Sequence, residues 1–339
     1  MTKKERVIAA LNHRESDIIP FHIDFTSPEY DIMLRYYQDP HFFEKLDTHL
    51  LYQQFSGYPT ELSDRPHFFR DGFGVVWNRT IDKDIGIITP PFVCDLENYT
   101  RPVMTLDEQR IRQECENLQK DKNEKFVFYG IGFSMFERAW SLCGMENVLM
   151  AMLTNPEELE QLLDDICEFN LRIIDIAMEY DLDGFYFGDD WGQQKGLIMG
   201  AEHWRHFIKP RMKKMYDRVK EHGKYILQHS CGDIYEIFPD LIEIGLDCYQ
   251  TFQPEIYDIE KVKQLYGNRL TFWGGISTQQ LLSCASAEKV RRETARIMKI
   301  MGKNGGYIAA PTHAVPHDVP PENIEAMLEV FHNQKKYIE

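Results

Sequence analysis

Short apolar runs recur along this chain, each too brief for a buried helix and each ending in small or polar residues. Phe126-Val-Phe-Tyr-Gly130, Gly184-Phe-Tyr-Phe187, Tyr225-Ile-Leu227, Cys248-Tyr249, Leu270-Thr-Phe-Trp273 and Tyr307-Ile-Ala-Ala310 read as strands. A continuous apolar run marks a strand covered on both faces, as in a parallel sheet. An earlier run, Asp17-Ile-Ile-Pro-Phe-His-Ile-Asp24, reads as a strand broken only by Pro20. Between the runs, apolar residues return with helical period over 3–13, 156–180, 202–222, 233–244, 258–266, 286–303 and 321–336. The 156–180 helix opens at Asn155-Pro156, with Asn as the expected cap and Pro at the first helical position. Strands alternating with helices of this length predict right-handed βαβ units and a parallel sheet.

The polar residues that follow the strands narrow the architecture. Asp24, Asp189-Asp190, His229 with Cys231, Gly274-Gly275 and His313 each stand just after one. TIM-type barrels build their sites from loops at this end of the strands, so the expected fold is α/β, a TIM-type (β/α)8 barrel. An open doubly wound sheet is disfavoured because no G-x-G-x-x-G follows an early strand. Residues 48–125 read as irregular, with Asp71-Gly-Phe-Gly-Val-Val-Trp77 as a hairpin or excursion. This stretch is expected to be an N-terminal insertion over the barrel mouth, which leaves 1–339 as one domain.

Composition adds limits. A chain of 339 residues with 43% hydrophobic and 27% charged residues suits a single large globular domain. No stretch approaches the roughly 18 apolar residues that span a bilayer. The first 13 residues are amphipathic and too charged for a signal peptide, so a cytoplasmic protein without a membrane partner is expected. A net charge of −16 argues against nucleic acid or an anionic membrane surface. Seven cysteines, an odd count without a C-x-x-C, form a reduced, intracellular pattern. Cys115 and Cys167 read as small core residues. Lys209-Pro-Arg-Met-Lys-Lys214 is the one concentrated basic run; a solvated helix face is its default reading, steering of a partner the sharper one.

The chemistry concentrates on His229-Ser230-Cys231, where the Tyr225 strand runs out into Gly232. Two strong ligands at i and i+2 of a strand point to one side. The Tyr307 run ends comparably in Pro311-Thr312-His313. Zinc accepts a Cys and two His and keeps a fourth position open for chemistry. The plainer alternative is one buried Cys beside a satisfied His. His317, four residues beyond His313, is the exchange candidate for the third ligand. Asp189 and Asp190 read as a further zinc ligand, a residue orienting a His, or simply caps in a solvated loop. His22 and Asp24 lie on one side of the first strand by period two. Trp77, Phe136, Trp140, Tyr186, Trp191 and Trp273 offer surface for an aromatic-sized pocket, although most large aromatics belong to cores. Glu137 and Arg138 read as a structural salt bridge, with substrate contact as the alternative.

Together these stretches resemble the uroporphyrinogen decarboxylase superfamily. The resemblance rests on the opening helix before Asp17-Ile-Ile-Pro-Phe21, on Asp71–Trp77, and on Phe136-Glu-Arg-Ala-Trp140. It continues through Gly188-Asp-Asp190, His229-Ser-Cys-Gly232, Trp273-Gly-Gly-Ile-Ser277 and Pro321-Glu-Asn-Ile-Glu-Ala-Met327. It implies a TIM barrel and two branches of activity: decarboxylation of uroporphyrinogen, and cobalamin-dependent methyl transfer between a corrinoid protein and a small donor or acceptor. The decarboxylase branch is implied to carry an arginine-rich loop after the first strand, matched to a substrate with many carboxylates. Here no arginine lies between Arg14 and Arg35, and the loop holds Asp24, Glu29 and Asp31. The methyltransferase branch is implied to bind zinc through His-x-Cys and a late Cys. His229 and Cys231 match the first two, and His313 stands near the third, which makes the donor set less negative and the zinc a stronger Lewis acid.

The expectation is therefore a zinc-dependent corrinoid methyltransferase. Its metal ligands are His229, Cys231 and His313; Asp189 and Asp190 are catalytic; His22, Asp24, Trp77, Tyr186 and Trp273 bind substrate. The methyl donor or acceptor is a methoxylated aromatic, an amine or a thiol. The chain has no Asp-x-His-x-x-Gly, so the corrinoid is expected on a separate protein, and a homodimer is compatible with the sequence. The alternatives are a decarboxylase of the uroporphyrinogen type, a metal-independent lyase acting on a small acid, and a non-catalytic partner with a decayed site.

Overall fold

The computed structural model describes residues 1–338. Its main sheet has seven strands whose spatial order is their chain order: Leu50–Phe55, Phe126–Ile131, Gly184–Gly188, Tyr225–His229, Cys248–Phe252, Thr271–Ile276 and Tyr307–Pro311. Phe126–Ile131, Gly184–Gly188 and Tyr225–His229 pair in parallel, as do Cys248–Phe252, Thr271–Ile276 and Tyr307–Pro311, and helices stand between successive strands. This is the α/β, TIM-type arrangement expected. Phe126–Ile131, Thr271–Ile276 and Tyr307–Pro311 are buried at every position, as continuous apolar runs require.

Two expectations about the first third of the chain need correction. Residues 17–24 form no strand among the described residues; Phe21 makes a single parallel bridge to Ala309. Pro20 has no N–H to give a ladder, yet its carbonyl accepts from Ala309 at 2.8 Å, and Phe21 O accepts from the His49 N–H at 3.0 Å. The segment thus meets Tyr307–Pro311 by one bridge and the residue before Leu50–Phe55 by one backbone bond. The expected insertion also starts too early, because Leu50–Phe55 belongs to the main sheet. The polar Gln53 and Gln54, both exposed, hid this strand from its hydrophobic pattern.

Helix boundaries fall close to the reading. Residues 156–180 form the Pro156–Ala177 helix with Pro at its start, but Asn155 makes no capping bond and accepts from Thr154 Oγ1 instead. The short Phe136–Cys143 and Met145–Thr154 helices, separated by Gly144 at φ 87, were not legible as helices. No helix among the described residues is long and apolar enough to cross a membrane.

The chain divides into two compact units. The first comprises Met1–Leu51, Lys122–Val127 and everything from Asp247 onward. Its core gathers around Phe21, whose ring meets His49 at 4.5 Å and Phe331 at 5.2 Å. The second comprises Tyr52–Asp121 and Phe128–Leu246 and carries a four-stranded antiparallel sheet, Thr60–Leu62, Arg65–Arg70, Val76–Asn78 and Ile87–Ile88.

Within the second unit the Asp71–Trp77 stretch is built around one carboxylate. Asp71 accepts from the N–H groups of Phe73 and Val75, from the Trp77 indole and from Arg138 Nη1, at 3.0, 3.0, 3.0 and 3.2 Å. Arg138, buried on the Phe136–Cys143 helix, lies over the Phe73 ring at 3.8 Å. The expected Glu137–Arg138 bridge is therefore wrong: Arg138 pairs with Asp71, because successive residues on a helix face different ways. The basic run 209–214 is largely neutralised in place, with Lys209 on Asp240 and Glu243, Arg211 on Asp164, and Lys213 on Asp217.

Candidate metal centre

In the second unit, the parallel register sets His229 beside Gly188, so the two loops that follow leave the sheet side by side. Backbone and side-chain bonds then zip them. Asp189 N–H donates to His229 O at 3.1 Å, and Trp191 N–H donates to Ser230 Oγ at 3.0 Å. Gly232 has φ +77, and a Cβ there would lie 2.2 Å from the Gly192 carbonyl carbon. Only glycine permits that approach.

This packing orients the two aspartates oppositely. Asp189 is fully buried and turns to the start of the Phe136–Cys143 helix, accepting from the N–H groups of Phe136 and Glu137 and from the Trp191 indole. Burial raises its pKa to about 6 against the pull of those donors. Asp190 turns to the other loop. Its Oδ1 accepts from the Cys231 N–H at 2.7 Å and lies 3.2 Å from His229 Nε2. Burial would raise its pKa, but the His229 and Cys231 bonds hold it near about 2.

His229 Nε2 and Cys231 Sγ lie 3.6 Å apart, and both residues are partly exposed. Burial opposes a charge on His229, while Tyr186, Asp190 and Cys231 together raise its pKa above the usual value. Tyr186 is half-buried, its ring 6.4 Å from that of His229 and 6.0 Å from Phe128, and Phe128 stacks on Tyr52 at 4.8 Å. Trp77 is 7% exposed, with its N–H taken by Asp71 and its ring edge-on to Phe133.

The sequence reading ranked Glu137 in a salt bridge ahead of a place at the site. It is buried, and burial followed by the charges of Asp190 and Asp189 raises its pKa well above the ordinary value. Its signal was positional: it follows the Phe126–Ile131 strand, as Asp189 and His229 follow theirs.

In the first unit, His22 is buried, with Nε2 2.9 Å from Asp24 Oδ2 and its ring edge-on to Trp273 at 5.7 Å. Trp273 is itself buried and Asp24 half-exposed. His313 and His317 are exposed on the loop after Tyr307–Pro311, held by Thr312, whose N–H donates to Ile276 O. His229 and Cys231 belong to the second unit and His313 to the first.

Glu29, beyond the first-strand segment, is fully buried, and neither carboxylate oxygen has a hydrogen-bond partner. Burial, then Asp318, raises its pKa from 4.5 to about 7. The folded state therefore keeps a proton that the unfolded chain loses, and this contribution to stability fades as pH rises from 4.5 through about 7. Glu29→Gln should raise stability at pH 8 by on the order of 2 kcal/mol and leave it unchanged at pH 4. Urea titrations at both pH values check this; equal effects at the two would refute it.

A family model described as uroporphyrinogen decarboxylase matches residues 80–334. A methylated-thiol–coenzyme M methyltransferase of Methanosarcina mazei is 22% identical over 191 residues, which are 56% of this chain and 49% of that protein. This chain thus spans about half the length of that relative. A uroporphyrinogen decarboxylase of Wigglesworthia glossinidia brevipalpis is 21% identical over 252 residues, 72% of this chain and 69% of its own. A solved structure titled methyltransferase from Methanosarcina mazei superposes with a TM-score of 0.74 over 99% of both chains, at 18% identity. That likeness speaks for the fold.

Proposed function

This chain belongs to the uroporphyrinogen decarboxylase family, and from that premise we propose that it is a cytoplasmic zinc-dependent methyltransferase working with a corrinoid protein. The observation that carries the reading is the set of separations around His229: 3.6 Å to Cys231 Sγ and 3.2 Å to Asp190 Oδ1. Ligands bound to one tetrahedral zinc at about 2.0–2.3 Å stand roughly 3.3–3.7 Å apart. An imidazole, a thiol and a carboxylate gathered at that spacing form a donor set suited to zinc and without use in holding a polycarboxylate. The 22% identical methyltransferase supports the same branch.

His229, Cys231 and His313 would hold the metal, with His317 as the exchange candidate for His313. Zinc there would supply Lewis-acid polarisation of an ether oxygen, amine or thiol of the substrate. Asp190 fixes the Cys231 backbone through its N–H, while its Oδ1 faces the same His229 Nε2 that faces Cys231 Sγ, as a resting-state fourth ligand would. Asp189 acts one step further out, tying the Phe136–Cys143 helix to the same loop. Substrate contact for the small methyl donor or acceptor would fall to Tyr186 and Trp77 in the second unit and to Trp273 and the polar His22–Asp24 pair in the first. Both directions of transfer are SN2 displacements, in which positioning contributes most. The segment with Asp24 and Asp31, and no arginine from 15 to 34, would repel a porphyrinogen bearing many carboxylates.

The test is incubation with cob(I)alamin and a panel of methyl ethers, amines and thioethers, watching for the methylcobalamin spectrum, with methylcobalamin and thiols run in reverse. Transfer in either direction is expected. Coproporphyrinogen appearing from uroporphyrinogen, with no methyl transfer, would restore the decarboxylase.

A further inference from the structure

Several lysines of this chain meet a carboxylate: Lys3 on Asp47, Lys45 on Asp39, Lys213 on Asp217 and Lys336 on Glu329. Lys263 differs. It is half-buried on the Ile259–Tyr266 helix of the first unit, and its Nζ donates to the Gly305 carbonyl at 2.5 Å. Among the described residues it forms no ion pair. Its stem lies across Gly267, where a Cβ would stand 2.6 Å from Lys263 Cδ and 3.1 Å from Cε. The nitrogen is thus held in place, without the rotamer freedom of a surface lysine.

An ammonium drawn partly out of water and given no counter-ion favours its neutral form. Burial lowers the Lys263 pKa to about 8 against the opposing charge of Glu15, whose Oε1 is taken by the Asn304 N–H at 2.8 Å. A neutral amine can keep its bond to Gly305 O and still present a lone pair. The surroundings select what that lone pair meets. Lys263 lines a cleft of about 650 Å³ with His13, Glu260, Lys299 and Lys303. Gly306 marks where two of these come together, since a Cβ there would stand 2.9 Å from His13 Nδ1 and 3.6 Å from Lys263 Nζ. His13 Nδ1 also lies 3.1 Å from Gly267 O, and burial lowers its pKa against that bond, which keeps the ring neutral. Lys299 and Lys303 are exposed, and among the described residues neither pairs with a carboxylate. Against the single Glu260 they make the cleft wall positive in a chain of net charge −16.

We propose that Lys263 is an acylation site for acyl phosphates, Lys299 and Lys303 drawing the phosphate group into the cleft and Lys263 taking the acyl group. The neutral amine attacks the acyl carbonyl carbon. A C–N bond forms, the C–O bond to phosphate breaks, and phosphate leaves with that electron pair and takes up the proton that the nitrogen releases. Nothing is oxidised or reduced. The site lies at the start of the Tyr307–Pro311 strand, the end opposite His313, and is independent of the methyl-transfer reading.

The experiment incubates the intact protein with acetyl phosphate at neutral pH and follows N-acetyl-lysine by peptide mass spectrometry over time. Lys263 should be acetylated first, at least about tenfold faster than exposed Lys213 or Lys289, because far more of it is free amine. In the double variant Lys299→Gln with Lys303→Gln, the Lys263 rate should fall severalfold with acetyl phosphate. It should fall much less with p-nitrophenyl acetate, an acyl donor that carries no phosphate. Acetylation spread evenly over the exposed lysines, an unmodified Lys263, or an equal fall with both reagents would each overturn the proposal. The wild-type time course decides even if the double variant fails to fold.

Discussion

Cys231→Ala should yield a folded protein that has lost its zinc and its methyl-transfer activity. The side chain is partly exposed on a loop, so its truncation opens no core cavity of the kind that costs several kcal/mol. The backbone N–H that Asp190 holds remains, and so does the Trp191–Ser230 bond that zips the two loops. What disappears is the one soft anionic donor among His229, Cys231 and His313. Loss of a partner that merely orients a ligand costs roughly 10–100-fold in metal affinity or activity, so loss of the ligand itself should exceed that. Metal content by mass spectrometry, with circular dichroism beside it, reads both halves. Full zinc content in the variant would refute the ligand assignment, and an unfolded variant would make Cys231 a structural residue. Cys284→Ala, on the exposed surface, serves as the control and should change neither.

Asp71→Ala should be the most destabilising single substitution considered, by about 3–5 kcal/mol. Its side chain is 0% exposed and that of Arg138 2% exposed, so removing the carboxylate strands a buried guanidinium as well as three N–H donors. Burial already lowers the Arg138 pKa against the opposing effect of Asp71. The converse change, Arg138→Met, should cost clearly less, because Asp71 would keep the Phe73, Val75 and Trp77 donors and methionine would fill much of the space over Phe73. Urea unfolding of the two variants gives the order directly. Equal losses, or a loss below about 1 kcal/mol for Asp71→Ala, would show that this carboxylate does not organise the region.

Six of the main-sheet strands were legible within a few residues, because an apolar run covered on both faces is a local property of the chain. The positions of Asp189, Asp190, His229 and Cys231 after strand ends were legible for the same reason. Leu50–Phe55 was not, since its two glutamines break the apolar pattern. The strand expected over 17–24 failed on Pro20, which lacks an N–H for the ladder; the bridge and the backbone bond at Phe21 depend on Ala309 and His49, far away in sequence.

By itself, then, the order of residues determined the parallel α/β plan, the strand ends that carry the polar groups, and the His-x-Cys pair where its strand runs out. The tertiary structure alone decided which partner each charge meets. Asp189 and Asp190 are neighbours whose side chains must diverge, but only packing against the Phe136–Cys143 helix sends Asp189 to its N–H groups and leaves Asp190 for His229 and Cys231. Arg138 ignores adjacent Glu137 for Asp71, 67 residues away, and that choice leaves Glu137 beside the two aspartates. Local pattern sets which way a backbone runs and which face is apolar. Pairing of buried charges is set by desolvation, which depends on every element packed around them and so is absent from any short stretch of sequence.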